Sequence, residues 1–292
     1  MKSFNKLALG TVQFGLNYGV ANALGRVGND QVAMILNRAL ECGFDTLDTA
    51  VSYGISENVL GKLGVHQWKV VSKLPSIPNG CNDVYSWVSS QTINSLSLLK
   101  LDRLHGMLLH RPEQLLGPYG NSLYKALQRI KAEGLVDKIG VSVYGLSQLE
   151  QLIGEYKFDL VQAPLNILDR SLIDSGWAMR LHEMGIEVHT RSAFLQGLLL
   201  MPANIRPEKF MPWAQVWAEW DGWLERTGLQ PLEACIRFLC SVSQVDRVVV
   251  GVDSLHQLNQ IVDAIDGSLV SLPEFKTFRD LRLINPSKWN QL

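Results

Sequence analysis

Residues 43–61, GFDTLDTAVSYGISENVLG, decide how the rest of the chain reads. An apolar-rich run closes on Asp48, Tyr53 follows five residues later, and Glu57 stands four beyond that. A solvent-facing loop needs no such arrangement, and a strand buried along its whole length would reject a carboxylate. Two other runs behave the same way. WKVVSK carries Lys73 at its end, and RLHGMLLH ends on His110.

Outward from these three, short β-rich runs alternate with amphipathic helical patterns along the chain. The remaining strands are KLALG, KIGVSV, FDLVQA, IEVHTRS and DRVVVGV. Between strands lie helical stretches such as DQVAMILNRALECG, whose Val32, Ile35, Leu36, Ala39 and Leu40 share one face. Capping rules open that helix at Asn29 or Asp30 and stop it at Gly43. Eight strands, each followed by a helix, within 292 residues is the count for an α/β (β/α)8 TIM barrel, expected as a single domain over residues 1–292. A doubly wound sheet needs fewer strands or a composition shift, and neither is present. The longest irregular segment is LLLMPANIRPEKFMPW, residues 198–213, after the seventh strand. Long loops at the C-terminal ends of barrel strands are usually functional, so this one is a candidate lid.

Composition narrows the partners. Lys plus Arg total 27 against 28 Asp plus Glu, and no basic stripe occurs, which argues against nucleic acid. The histidines show no metal-binding pairing, so no metal is expected. Cys42, Cys81, Cys235 and Cys240 form no C-x-x-C pair and read as reduced thiols, with a cytoplasmic setting expected. The apolar run of MKSFNKLALGTVQFG is too short for a signal peptide, and no stretch is apolar enough for a membrane span. Oligomeric state is left open.

On the barrel reading, Asp48, Tyr53, Lys73 and His110 converge where three consecutive strands run out. Such a group suits proton transfer to a carbonyl oxygen. A phenol with a pKa of about 10 is a poor acid alone. A neighbouring ammonium lowers that value, a carboxylate holds the ammonium, and an imidazole orients the substrate oxygen. Each residue has a plainer reading: a turn former, a packing ring, a solvated strand end, a satisfied structural histidine. Their convergence on adjacent strands favours the chemical one. The group supplies no electrons, so it needs a hydride donor or a substrate requiring only acid–base chemistry.

DTAVSYGISENVLG resembles the signature of the aldo-keto reductase superfamily, with D-T-A, a tyrosine three residues later, a glutamate, then a glycine. The family also ends its third strand on a lysine and its fourth on a histidine, matching Lys73 and His110. LALGTVQFG, KIGVSVYGLSQL, LVQAPLNILDR, RSAFLQGLLL and VVVGVDSLHQL resemble its first, fifth, sixth, seventh and eighth strand segments. The resemblance implies a TIM barrel that binds NAD(P)H without a Rossmann domain, and no G-x-G-x-x-G occurs. It implies reduction of an aldehyde or ketone, sugar-derived if the kinship to surface-sugar members holds. Tyr53 would be the general acid, Lys73 and Asp48 would tune it, and His110 would orient the substrate.

The same resemblance assigns Ser142, Gln162 and Asn166 to the nicotinamide carboxamide, and Gly10 and Thr11 to the cofactor's approach along the first strand. Arg191, Ser192, Gln196, Gly197 and Leu198 after the seventh strand, and Gly251, Asp253, Ser254 and Gln257 after the eighth, complete the expected cofactor set. Plainer readings are strand-end hydrogen bonding for Ser142 and Gln162, a turn for Asn166, and a helix N-cap for Ser254. Two other classes remain: a redox sensor that keeps cofactor with little turnover, and a Schiff-base enzyme with Lys73 as nucleophile.

Three positions break the family pattern. Val143 replaces an asparagine after Ser142. Arg191 stands where an aromatic stacks on the nicotinamide; it either stacks in its place or turns away into a salt bridge. Around the last helix, Asp253, Gln257 and Gln260 offer no cation for a 2′-phosphate, which leans toward NADH or dual use unless Arg206 or Lys209 compensates. Trp213, Trp217, Trp220 and Trp223 are spaced mostly three or four apart and read as core packing. Trp213, nearest the long loop, is the candidate substrate wall.

Overall fold

The computed structural model describes residues 4–22, 25–267, 272–273 and 280–291. Eight parallel strands close into a barrel in sequence order: β1 (Leu7–Gly10), β2 (Thr46–Asp48), β3 (Lys69–Leu74), β4 (Leu104–Leu109), β5 (Val136–Ser142), β6 (Leu160–Pro164), β7 (Glu187–Arg191) and β8 (Arg247–Gly251). Closure is made by β8 on β1, with Leu7 opposite Val248 and Gly10 opposite Gly251. All eight expected strands are present, in the expected order.

Alternation along each strand sorts its side chains. In β3, Val70 and Leu74 join the core shared with the helices, while Val71 belongs to a separate buried cluster with Leu108 and Leu160. That cluster plugs the barrel interior. Lys73 is two residues beyond Val71 and therefore faces inward as well. The same parity in β2 sends Leu47 to the helices and Asp48 inward.

Glu57 has a structural reason for its place. It lies in the helix Ser56–Leu63 and accepts hydrogen bonds from Ser72 Oγ of β3 at 2.7 Å and Ser95 Oγ of the helix Val84–Leu99 at 3.2 Å. One buried carboxyl thus ties two helices to the strand that carries Lys73. Burial pushes its pKa up, against the two hydroxyl donors.

The helix Asn29–Glu41 buries Val32, Ile35, Leu36 and Ala39 as expected, but its N-cap is Gly28, which makes no side-chain capping bond. Gly43 ends the segment with φ +84°, the left-handed turn that capping rules assign to glycine. Ser254 caps the helix Leu255–Ala264 by accepting from the Gln257 amide. Trp217, Trp220 and Trp223 are buried, and the last two stack at 5.6 Å. Among the described residues, no helix is long and apolar enough to cross a membrane.

Candidate active site

A cavity of about 660 Å³ opens at the C-terminal ends of the strands, with Asp48, Tyr53 and His110 in its wall. Asp48 closes β2 and is 3% exposed. Its Oδ1 accepts from Lys73 Nζ at 2.6 Å, and its Oδ2 accepts from Gln162 Nε2 at 2.6 Å. Lys73 also donates to the Thr49 carbonyl at 2.8 Å. Ser142 Oγ donates to Gln162 Oε1 at 3.0 Å, so a polar chain runs from β5 through β6 and β2 to β3.

Tyr53 comes from the loop after β2. Gly15 packs so tightly on that loop that a Cβ there would fall 1.8 Å from the Tyr53 carbonyl oxygen. Lys73 Nζ lies 5.0 Å from the Tyr53 ring centroid, and His110 meets that ring edge-on at 5.9 Å. Ser52 Oγ holds His110 Nδ1 at 3.1 Å. The four residues expected to converge do converge.

Their electrostatics differ from the expectation in one respect. Tyr53 lies well above an ordinary phenol, chiefly through burial and then through the charge of Asp48. The anticipated lowering by Lys73 does not prevail, because that ammonium is itself paired with Asp48. Burial lowers the Lys73 pKa, and Asp48 opposes the drop. Tyr53 is therefore a protonated phenol at neutral pH, the form that donates. Burial, and then the charge of Lys73, lowers the His110 pKa to about 4. His110 is thus a neutral imidazole, able to donate a hydrogen bond without carrying charge. An NMR titration should show its imidazole unprotonated from pH 8 down to about pH 5; protonation near the usual value of about 6.5 would show that water reaches it.

The other expected residues fall into two groups. Gly10, Thr11, Gln162, Arg191, Ser192 and Gln196 line the cavity, as do Gly197, Gly251, Asp253 and Gln257. Ser142, Asn166, Leu198 and Ser254 do not line it. Asn166 is fully buried; its Nδ2 donates to the Ser192 carbonyl, and its Oδ1 accepts from the amides of Leu168 and Asp169, which is its plainer turn-forming role. Arg191 does not turn away into a salt bridge among the described residues; it lines the cavity. Its guanidinium donates to the Val143 carbonyl at 2.8 Å and lies 4.3 Å from the Tyr144 ring centroid.

Trp213 corrects the sequence reading. It is buried, donates Nε1 to Asp280 Oδ2 at 3.1 Å and packs on Phe210, away from the cavity wall. The long loop contributes Met201, Pro202 and Ile205 to that wall instead. Arg206 is bound bidentately to Asp221 and lies over Trp217. Lys209 donates to the Trp289 carbonyl. Both cations are thus engaged away from Asp253.

The residues present fit a dinucleotide. The wall runs from the Tyr53 group past Gly10 and Gly251 to Asp253, Gln257 and Gln260. A Cβ at Gly251 would press to 2.5 Å from Gln13 Nε2, and Gln13 Oε1 is buried without a partner, an acceptor waiting for a donor. After β7, Ser192, Leu195 and Gln196 adopt positive φ of 64°, 46° and 54°, strain that recurs where backbone is shaped around a ligand. Sequence reasoning missed Tyr18, Asn22 and Tyr144. Only Tyr144 had a local signal, as the second residue beyond the end of β5. Pro286 and Ser287 also line the cavity, brought there by tertiary packing alone.

Comparison with known proteins agrees. The sequence pattern of the Aldo/keto reductase family matches residues 6–281. Methylglyoxal reductase DkgA of Escherichia coli K12 is 30% identical over 155 residues, 51% of this chain and 52% of that one. An aldo-keto reductase of Mycolicibacterium vanbaalenii is 31% identical over 138 residues, 45% and 47% of the two chains. The chain thus matches about half the length of these curated relatives. The holo form of an aldo-keto reductase from Bacillus halodurans superposes with a TM-score of 0.72 at 20% identity, covering 91% of this chain and 88% of that one.

Proposed function

Because the chain belongs to the aldo/keto reductase family, we propose that it reduces an aldehyde or ketone, sugar-derived carbonyls included, to the alcohol at the expense of a nicotinamide dinucleotide. The observation that carries this reading is Tyr53 set beside a buried Lys73–Asp48 pair, with His110 on its edge. When bound, the reduced dinucleotide supplies the hydride. Tyr53 donates its proton as negative charge develops on the carbonyl oxygen, and the ammonium of Lys73 stabilises the phenolate left behind. His110 orients the oxygen by a neutral hydrogen bond. Gln162 and Ser142 hold the Asp48 carboxylate that fixes Lys73. Lys73 Nζ is turned toward Asp48 and Thr49 rather than the cavity, which gives the Schiff-base alternative no support. Incubation with NADH or NADPH and a panel of aldehydes and ketones tests the proposal. Failure to oxidise either cofactor with any of them would sink it.

The cofactor preference we infer is NADH at least equal to NADPH. Asp253 lines the cavity with its amide held by Gln257 and its carboxylate by Asn22 Nδ2. A 2′-phosphate beside that carboxylate is weakened by about 1 kcal/mol, while a free 2′-hydroxyl can donate to it. Burial raises the Asp253 pKa from the ordinary carboxyl value, and Gln257 opposes the rise. Dissociation constants from fluorescence quenching should show no NADPH advantage, and Asp253→Arg should move the ratio toward NADPH by about tenfold. A native preference for NADPH of about tenfold or more would overturn the inference.

A further inference from the structure

One charge in the cavity has no role in the chemistry above. Arg191 ends β7, is half-buried, and is the only lysine or arginine among the described residues of the cavity wall. Its Nη2 donates to the Val143 carbonyl at 2.8 Å, its Nη1 donates to Ser192 Oγ at 3.3 Å, and its Cζ lies over the Tyr144 ring, 4.3 Å from the centroid. All three partners are neutral. Three other half-buried arginines are paired with acids: Arg206 closes on Asp221, Arg237 on Glu233 and Arg247 on Asp45. Asp169 shares a small recess with Arg191, but its Oδ1 is engaged by the amide and hydroxyl of Ser171.

A half-buried guanidinium hydrogen-bonded only to neutral groups gains a charge-assisted contact when a ligand anion arrives. The Tyr144 ring and the Val143 carbonyl hold this one in place, which lowers the entropy lost when an anion arrives. Of its five N–H donors, the contacts to Val143 and Ser192 use two. Its charge also registers at Tyr53, Lys73 and His110, so it stands at the reacting end of the cavity. Asp48 is neutralised there by Lys73, leaving a net positive floor.

We propose that Arg191 selects a substrate whose reacting carbonyl carries a neighbouring carboxylate, a 2-oxo acid, which the site reduces to the 2-hydroxy acid. This rests on the carbonyl-reductase reading. The balance is simple. The carbonyl carbon gains a hydride with two electrons from the reduced dinucleotide, its oxygen gains the Tyr53 proton, the carbon–oxygen π bond is lost, and the carboxylate is unchanged. A bidentate guanidinium–carboxylate contact would set the carbonyl oxygen toward Tyr53.

The same chemistry would also bind a phosphate of the dinucleotide, and the test separates the two. With saturating NADH, kcat/KM is measured for pyruvate and for its neutral methyl ester in wild type, Arg191→Gln and Arg191→Lys. The ratio of the two values is the readout, because any loss common to both substrates cancels. Wild type should favour pyruvate, Arg191→Gln should lower the ratio by about 10- to 100-fold, and Arg191→Lys should recover part of it. Oxamate, an unreactive mimic, should bind the wild-type NADH complex and lose affinity in Arg191→Gln by a similar factor. An unchanged ratio overturns the proposal, and if NADH affinity falls in that variant the anion is the cofactor's phosphate. Reduction of the ester but not of pyruvate overturns the proposal alone, whereas no reduction of any carbonyl overturns the underlying reading with it.

Discussion

Tyr53→Phe should lower kcat for carbonyl reduction by about 10³-fold while leaving dinucleotide affinity within a few-fold. The hydroxyl acts only as charge builds on the substrate oxygen, so its loss is felt in the transition state and hardly in the ground state. Phenylalanine keeps the ring, and with it the edge-on contact to His110 and the position above Lys73. Fold stability should therefore stay within about 0.5 kcal/mol of wild type. Burial and the charge of Asp48 hold the Tyr53 proton on well above the ordinary phenol range. Reduction by the wild type should accordingly stay near its full rate through neutral pH. Steady-state kinetics beside a cofactor titration decides the matter. Wild-type turnover in Tyr53→Phe would remove Tyr53 from the chemistry.

The barrel was legible because eight β-rich runs alternate with helical patterns, and three neighbouring runs close on a residue that does not belong in a core. Asp48, Lys73 and His110 end neighbouring strands, and parallel pairing in sequence order brings such ends together without further information. Sequence spacing could not reveal what long-range packing decides. Trp213 is nearest the loop along the chain, yet a hydrogen bond to Asp280 turns it from the cavity. Pro286 and Ser287 reach the wall only because the last described segment folds back beneath the loop, where Trp289 packs on Phe210. The pKa of Tyr53 escapes the sequence for a related reason. Lysine next to tyrosine implies a lowered value, but burial outweighs a cation that already has a carboxylate 2.6 Å away. The fate of Arg191 depended on the carbonyl of Val143, a backbone group that no motif records.

Lys73→Met should damage both rate and stability, which sets it apart from Tyr53→Phe. Lys73 is 1% exposed, and its ammonium is the cationic partner 2.6 Å from Asp48 Oδ1. Removing it leaves a carboxylate inside the barrel with the Gln162 amide as its remaining side-chain donor. Stranding one partner of a buried pair costs about 3–5 kcal/mol, far more than the pair contributes when intact. Urea denaturation should therefore show a loss of that size, with the slope unchanged if the native state keeps its surface. Adding Asp48→Asn to Lys73→Met removes the stranded charge while keeping an oxygen for Gln162 to donate to. The double variant should regain most of the stability, and the coupling between the two sites should be positive and large. Turnover should not return with it, since the phenolate of Tyr53 still lacks its ammonium. Recovery of stability without rate would separate the structural role of the pair from its chemical one. If Lys73→Met were instead as stable as wild type, Asp48 would have to be protonated or hydrated there, and the buried ion pair could not be what positions the acid.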